Sequence, residues 1–195
     1  MQKTRASSAF TCEICLLAGG LSSRMGRDKA RLRLGRRTLL GHVRAVARAL
    51  ALPVRVIRRD LVPRCGPLGG IYTALLTSRA EIILFMACDM PFVSVELLQT
   101  LARRAARARA VFSLEAGRAG FPFALRRTTQ PVVQRQVQAG AFSLQALAKK
   151  LRARTLPAPG GPLELFNINT PEDWREARQE RRRNGTRKIP RSHKP

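Results

Sequence analysis

The stretch FTCEICLLAGGLSSRMGRDK, Phe10 to Lys29, joins an apolar run to a glycine-rich, cationic loop. Phe10 to Leu17 reads as a short strand that ends in Ala18, Gly19 and Gly20. A strand running out into paired glycines exposes bare backbone N–H groups, which together form a nest for an anion. Arg24 and Lys29 add mobile positive charge for outer phosphates. Two familiar loops are excluded. Lys29 is followed by Ala30, where a Walker loop needs a magnesium-binding Ser or Thr, and the spacing is not G-x-G-x-x-G. A phosphate-binding loop after a first strand is the signature of an α/β domain, and the rest of the chain is read outward from it.

Downstream, Thr38 is placed to cap a helix over Leu39 to Ala51, with Leu39, Leu40, Val43, Val46, Ala47 and Leu50 at helical spacing. Pro53 opens a brief strand, Val54 to Ile57, and a Pro- and Gly-rich stretch from Arg58 to Gly70 leads into a helix from Ile71. Ile82 to Cys88 is an unbroken apolar run, as expected of a strand buried on both faces of a parallel sheet. Ser94 caps the helix after it. Strands are expected at Ala110 to Leu114, Phe121 to Leu125, Arg154 to Leu156 and Leu165 to Ile168. Helices are expected at Gln130 to Ala139 and Ser143 to Leu151. Thr170-Pro171-Glu172-Asp173 carries an N-cap Thr, a first-position Pro and first-turn acids, which begin a terminal helix. Alternating β and α elements predict a parallel-rich sheet with helices on both faces. The expected organisation is one domain over residues 1–178 and a basic, disordered tail over 179–195.

Three further constellations carry chemistry. Asp89 lies just past the carboxyl end of the Ile82 to Cys88 run, the edge where open α/β sheets bind ligands. Magnesium is commonly held by one or two carboxylates plus substrate phosphates, so an Asp facing a phosphate loop suffices for a Mg²⁺ site. Asp60 to Gly70, DLVPRCGPLGG, reads equally as a structural loop or as a wrap around a base or sugar with Asp60 accepting hydrogen bonds. Asn167 and Asn169 flank the start of the terminal helix and read equally as a capping turn or as a site for anionic substrate.

Composition bounds the alternatives. At 195 residues with 45% apolar content the chain can bury roughly 70% of its unfolded surface and needs no disulfide or structural metal to fold. No stretch approaches the roughly 20 apolar residues of a membrane span. The start is basic like a signal-peptide n-region, but the apolar run holds Glu13 and meets a glycine loop without a cleavage-like site, so a cytoplasmic, unprocessed chain is expected. The net charge of +25 is mostly arginine spread over helical faces and the C-terminal end, and with one Trp and one Tyr there is little to stack bases. Nucleic acid is not expected as a partner. Cys12 and Cys15 fall on opposite faces of a strand, and with His42 and His193 as the only histidines, neither zinc nor a Cys/His catalytic set is expected.

The four segments, in this order, resemble the molybdenum cofactor guanylyltransferases of the MobA-like nucleotidyltransferase family. Leu17 to Lys29 matches its L-A-G-G-x-S-x-R-M-G-x-D-K loop, Asp60 to Gly70 its D-L-V-P-x-x-G-P-L-x-G, Cys88 to Pro91 its C-D-x-P, and Asn167 to Glu172 its N-x-N-T-P-E. The resemblance implies a three-layer, Rossmann-like nucleotidyltransferase fold with a mostly parallel sheet. It implies a monomer that transfers GMP from GTP to molybdenum-bound molybdopterin with release of pyrophosphate. Leu17, Ala18, Gly19, Lys29, Asp60 and Asp89 would contact GTP, Asp89 would also hold Mg²⁺, and Asn167 and Asn169 would face the pterin. Gly20 would join Gly19 in holding the triphosphate, and Lys29, Arg24 and Asp89 would be the catalytic set. The chain is shorter than the family's usual length between Lys29 and Asp60, so the second strand with its nucleotide-contacting Asn is expected to be missing. A cytidylyltransferase, an enzyme for another phosphorylated acceptor, and a GTP- or polyanion-binding protein with weak turnover share these residues.

Overall fold

The computed structural model describes residues 10–18, 31–62 and 64–186 of the 195. Numbered in chain order, its strands are β1 Cys12–Leu17, β2 Arg33–Leu34, β3 Arg37–Thr38, β4 Val54–Ile57, β5 Ile82–Ala87, β6 Ala110–Glu115, β7 Arg118–Arg126 and β8 Arg154–Pro157. The helices are α1 Leu39–Ala49, α2 Pro67–Thr77, α3 Val95–Ala105, α4 Gln130–Gln138, α5 Leu144–Lys150 and α6 Pro171–Thr186. Six strands form one sheet in the order β4-β1-β5-β7-β6-β8, and β2 and β3 make a separate hairpin. β4, β1 and β5 run parallel, as do β6 and β8, while β7 is antiparallel to both β5 and β6. Among the described residues no helix is long and apolar enough to cross a membrane.

Alternation along the central strands divides the core in two. Ile14 and Leu16 of β1, with Ile82, Leu84 and Met86 of β5, point to the layer where Leu40 and Val43 of α1 and Leu97, Leu98 and Leu101 of α3 pack. Cys15, Ile83 and Phe85 point to the opposite layer, against Leu68, Ile71 and Leu75 of α2, Val133 of α4 and Leu147 of α5. The two-residue period of a strand places successive side chains on opposite faces, and apolar residues at every position require a helix layer on each side. The sheet is therefore sandwiched between helices. Cys12 and Cys15 fall on opposite faces, and burial raises their thiol pKa values to about 11 and about 12, so neither is poised as a thiolate at neutral pH. Thr38 caps α1, its hydroxyl accepting from Gly41 N at 3.0 Å, and Ser94 caps α3 by accepting from Leu97 N at 3.1 Å.

Three sequence expectations change. Leu165 to Ile168 is not a strand: a 3-10 turn, Pro162–Leu165, precedes an extended segment whose Phe166 and Ile168 both pack on the α6 cluster. That alternation imitates a strand's period without a ladder. The strand expected from Phe121 starts at Arg118, and a register shift after Phe112 leaves Phe121 and Pro122 opposite no β6 residue, with Ser113 Oγ donating to Pro122 O at 2.7 Å. Bulges are where a central strand tolerates proline. The strand expected at Val54 to Ile57 is β4, which pairs with β1 at the edge of the sheet and leads within three residues to Asp60.

The third change concerns the C-terminal end. Residues 179–186, expected as part of a disordered tail, continue α6. Arg175–Glu172 and Arg183–Glu180 pairs at 2.8 and 2.6 Å brace its exposed face, and Trp174 and Ala177 pack with Leu34, Leu39 and Ile168. Arg181 donates to Leu34 O at 2.5 Å, lies 2.7 Å from His42 Nε2, and passes over Gly35, where a Cβ would stand 2.6 Å from its guanidinium carbon. A sequence dense in charge is thus fastened to the β2–β3 hairpin.

Phe123 sits at the centre of the α2-side core, its ring 5.0 Å from that of Phe85 and 4.5 Å from that of Phe112, both stacked. Phe123→Ala is expected to destabilise the fold by about 3–5 kcal/mol. Denaturant unfolding should show a lowered midpoint with an unchanged slope.

Candidate functional site

Three strand ends lie side by side at one edge of the sheet. Leu17 closes β1 and is in register with Ile57 of β4 on one flank and Ala87 of β5 on the other. Ala18 extends the pairing by one residue, its N–H donating to Ile57 O at 2.9 Å. Asp60 follows β4 and Asp89 follows β5, so two carboxylate-bearing loops flank the exit of β1. Two inter-strand steps separate those flanks by roughly 10 Å. Gly19, Gly20, Arg24 and Lys29 lie outside the described residues. The structure thus brings Leu17, Ala18, Asp60 and Asp89 to one edge.

Asp60 is held by what α2 lacks. A Cβ on Gly69 would stand 2.8 Å from Asp60 Oδ2 and 2.9 Å from Val62 O, and one on Gly70 would stand 3.0 Å from Leu17 Cδ2 and 3.3 Å from Asp60 Oδ1. Only bare Cα atoms allow the carboxylate to rest on the first turn of the helix beside the end of β1. The helix accordingly starts at Pro67 rather than at Ile71, with Pro at a first-turn position it favours. The propensity cost of two glycines is accepted for this approach. Burial pushes the Asp60 carboxyl above the ordinary carboxylate range.

Asp89 anchors the other flank. Its Oδ1 is enclosed, and its backbone carbonyl accepts from Ile168 N at 2.9 Å, which fixes the Asn167 to Asn169 segment beside the β5 end. Asn167 is half-buried and donates through Nδ2 to Leu165 O at 2.9 Å, while Asn169 is exposed. The capping of α6 falls to other side chains. Thr170 Oγ1 accepts from Asp173 N at 3.1 Å, and Asp173 Oδ2 accepts from Asn169 N and Thr170 N, both at 2.8 Å. This is a capping box with Asp in the place of Glu. Among the described residues no group of three or more His, Cys, Asp or Glu side chains converges on a metal-sized site.

Sequence reading missed Thr73. On the buried side of α2, among Leu68, Ile71, Ala74 and Leu75, it is the only polar side chain, and its hydroxyl accepts from Leu61 N at 2.9 Å. A lone threonine on an apolar helix face is the signal that points to it.

The MobA-like NTP transferase domain family matches residues 14–155. A Trichormus variabilis protein named "Probable molybdenum cofactor guanylyltransferase" is 32% identical over 180 residues, covering 81% of this chain and 86% of that protein. The crystal structure of molybdopterin-guanine dinucleotide biosynthesis protein A from Archaeoglobus fulgidus superposes with a TM-score of 0.71 at 21% identity, covering 88% of this chain and 99% of the other. Rv0371c from Mycobacterium tuberculosis, in a complex with manganese, gives a TM-score of 0.61 at 21% identity, with 88% and 100% covered.

The raised pKa of Asp60 has a definite sign. The folded chain binds that proton more tightly than the unfolded one, so the stability linked to it is full below the ordinary Asp range and lost as pH rises through the folded value. Asp60→Asn should therefore leave the ligand-free protein at least as stable as the parent at pH 7 and flatten the fall in stability above pH 4. Thermal melts across pH 3–8 check this, and a destabilised variant at pH 7 would contradict it.

Proposed function

The chain belongs to the MobA-like NTP transferase family, and from that membership we propose that it is a molybdenum cofactor guanylyltransferase, moving GMP from GTP to molybdenum-bound molybdopterin. One observation carries the reading most directly. The carbonyl of Asp89 is hydrogen-bonded to Ile168, so the candidate metal carboxylate and the Asn167–Asn169 segment share one sheet edge with the exit of β1. A nucleotide reaching across that exit and an acceptor lying against the Asn segment would meet beside Asp89.

The reaction needs no protein nucleophile. A terminal phosphate oxygen of molybdopterin attacks the α-phosphorus of GTP, a new P–O bond forms in line, and the bond to the β-phosphate oxygen breaks to release pyrophosphate. Positioning and charge stabilisation then supply the catalysis. Leu17 and Ala18 bring the chain to the nucleotide, and the N–H groups of Gly19 and Gly20 cradle the triphosphate. Asp60 accepts hydrogen bonds from the nucleoside, and Lys29 and Arg24 neutralise the departing pyrophosphate. Asn167 and Asn169 orient the pterin.

Asp89 fits a hard divalent cation. It stands just past the carboxyl end of β5, and one carboxylate with substrate phosphates would match the preference of Mg²⁺ for few protein ligands. A mycobacterial protein of the same fold is known in a complex with manganese, in keeping with a divalent ion on this fold. When bound there, Mg²⁺ supplies Lewis-acid neutralisation at phosphate oxygens. The same reading has the enzyme acting as a monomer in the cytoplasm.

Incubating the purified chain with molybdenum-loaded molybdopterin, Mg²⁺ and each of the four labelled nucleoside triphosphates tests the base and the acceptor together. GMP attached to the pterin is the expected product. Attached CMP would reassign the chain as a cytidylyltransferase, and steeply salt-dependent duplex DNA binding without turnover would remove the enzymatic reading.

Two variants probe the assigned roles. Lys29→Ala is expected to lower turnover by roughly 10²- to 10³-fold, the cost of one preorganised donor, and Asp89→Asn by at least as much. Steady-state kinetics with pyrophosphate detection reads both, and near-normal turnover in either would strip that residue of its role.

A further inference from the structure

Thr73 lies in the middle of α2 with its side chain buried, and its hydroxyl both donates and accepts a hydrogen bond. Oγ1 donates to Gly69 O at 2.8 Å, one turn earlier, and accepts from the backbone N–H of Leu61 at 2.9 Å. Threonine commonly bonds back to the preceding turn of its own helix, at a slight cost to that helix. Here the same oxygen also reaches outside the helix, to the residue next to Asp60. The single hydroxyl proton is committed to Gly69 O, so the lone pair facing Leu61 can only accept, and the polarity of the tie is determined.

The tie sits opposite the contact that limits Asp60. The carboxylate rests on the bare Cα atoms of Gly69 and Gly70, while the next peptide is drawn to the same helix by Thr73. The loop is thus held at two points one residue apart. Without the hydroxyl, the Leu61 N–H loses its acceptor and the peptide beside Asp60 is free to rotate away from the sheet edge. Leu61 itself is largely exposed, so its side chain does not anchor the loop.

We propose that Thr73 is a positioning residue of the nucleotide site, holding the Asp60–Leu61 peptide on α2 so that the Asp60 carboxylate meets the nucleoside in a fixed direction. The inference rests on the reading of Asp60 as a nucleotide contact. The nucleoside lies away from the reacting phosphorus, so the loss of Thr73 falls on nucleotide affinity and KM and leaves kcat nearly unchanged.

The test uses the full chain and its Thr73→Val, Thr73→Ser, Asp60→Asn and Thr73→Val/Asp60→Asn variants. Each is measured for equilibrium GTP binding, KM and kcat, thermal midpoint, and hydrogen exchange at the Leu61 amide. Thr73→Val should weaken GTP binding and raise KM by about 3- to 10-fold, the range of one ordinary hydrogen bond, with kcat within about 2-fold. Thr73→Ser should restore both, and the double variant should bind no more weakly than Asp60→Asn alone, because the two residues act through one contact. The Leu61 amide should exchange faster in Thr73→Val and at the parental rate in Thr73→Ser. If valine prevents folding, Thr73→Ala exposes the same N–H and takes its place in every arm. Parental GTP affinity in the valine or alanine variant overturns the proposal, as do losses additive with Asp60→Asn or a failure of serine to rescue. If Asp60→Asn leaves GTP affinity unchanged, or the parent binds no GTP, the premise fails and the proposal fails with it, a result distinct from an inert Thr73.

Discussion

Because β1 is hydrogen-bonded on both sides, with Leu17 level with Ile57 on one flank and Ala87 on the other, the strand ends at a single height. The loops that carry Asp60 and Asp89 leave the sheet beside that line. Moving β1 by one residue would exchange the two faces of the strand, sending Ile14 and Leu16 into the α2 layer and Cys15 toward α1 and α3. The apolar alternation of β1 and β5 therefore sets the register, and the register sets where Asp60 and Asp89 emerge. Core packing and site geometry rest on the same pairing.

The two flanks are secured differently. On the β5 side a backbone hydrogen bond draws a distant segment, residues 167–169, against Asp89, and the cap of α6 ties the end of that segment to the helix. On the β4 side an edge strand of four residues is supported by side chains. Arg55 reaches Glu13 Oε1 at 2.6 Å, Thr77 Oγ1 at 2.5 Å and Ala74 O at 3.0 Å, and Thr77 Oγ1 donates to Thr73 O at 2.7 Å. A polar ladder thus runs along α2 from the lower part of β1 to the Asp60 loop. A short edge strand has few ladder bonds of its own, and side-chain ties to the adjacent helix supply what a second neighbouring strand would have given.

Much of this was legible in the residues. The run Ile82 to Cys88 has one structural solution, a strand buried on both faces, and Asp89 necessarily stands at its carboxyl end. Caps at Thr38, Ser94 and Thr170 mark helix starts because a hydroxyl before an apolar period satisfies a particular N–H. The direction of β7 was not legible, since periodicity tells which face a side chain takes and nothing about which way a strand runs. Phe166 and Ile168 looked like a strand because a cluster against α6 selects the same alternate residues as a sheet would. Gly69 and Gly70 suggested a loop because glycine disfavours helix, and only the position of Asp60 explains their place inside one. The end of α6 escaped because charge predicts exposure, whereas Arg181 is held by a carbonyl 147 residues earlier in the chain.

That last contact has a consequence for the order in which the molecule can assemble. The hairpin at residues 33–38 is made early, but the guanidinium that closes on Leu34 comes 147 residues later, in α6. Domains take shape from the N-terminus as they are synthesised. A chain that has not yet formed α6 would hold its central strands and still lack the brace behind the hairpin, so the hairpin is secured only when α6 docks on it.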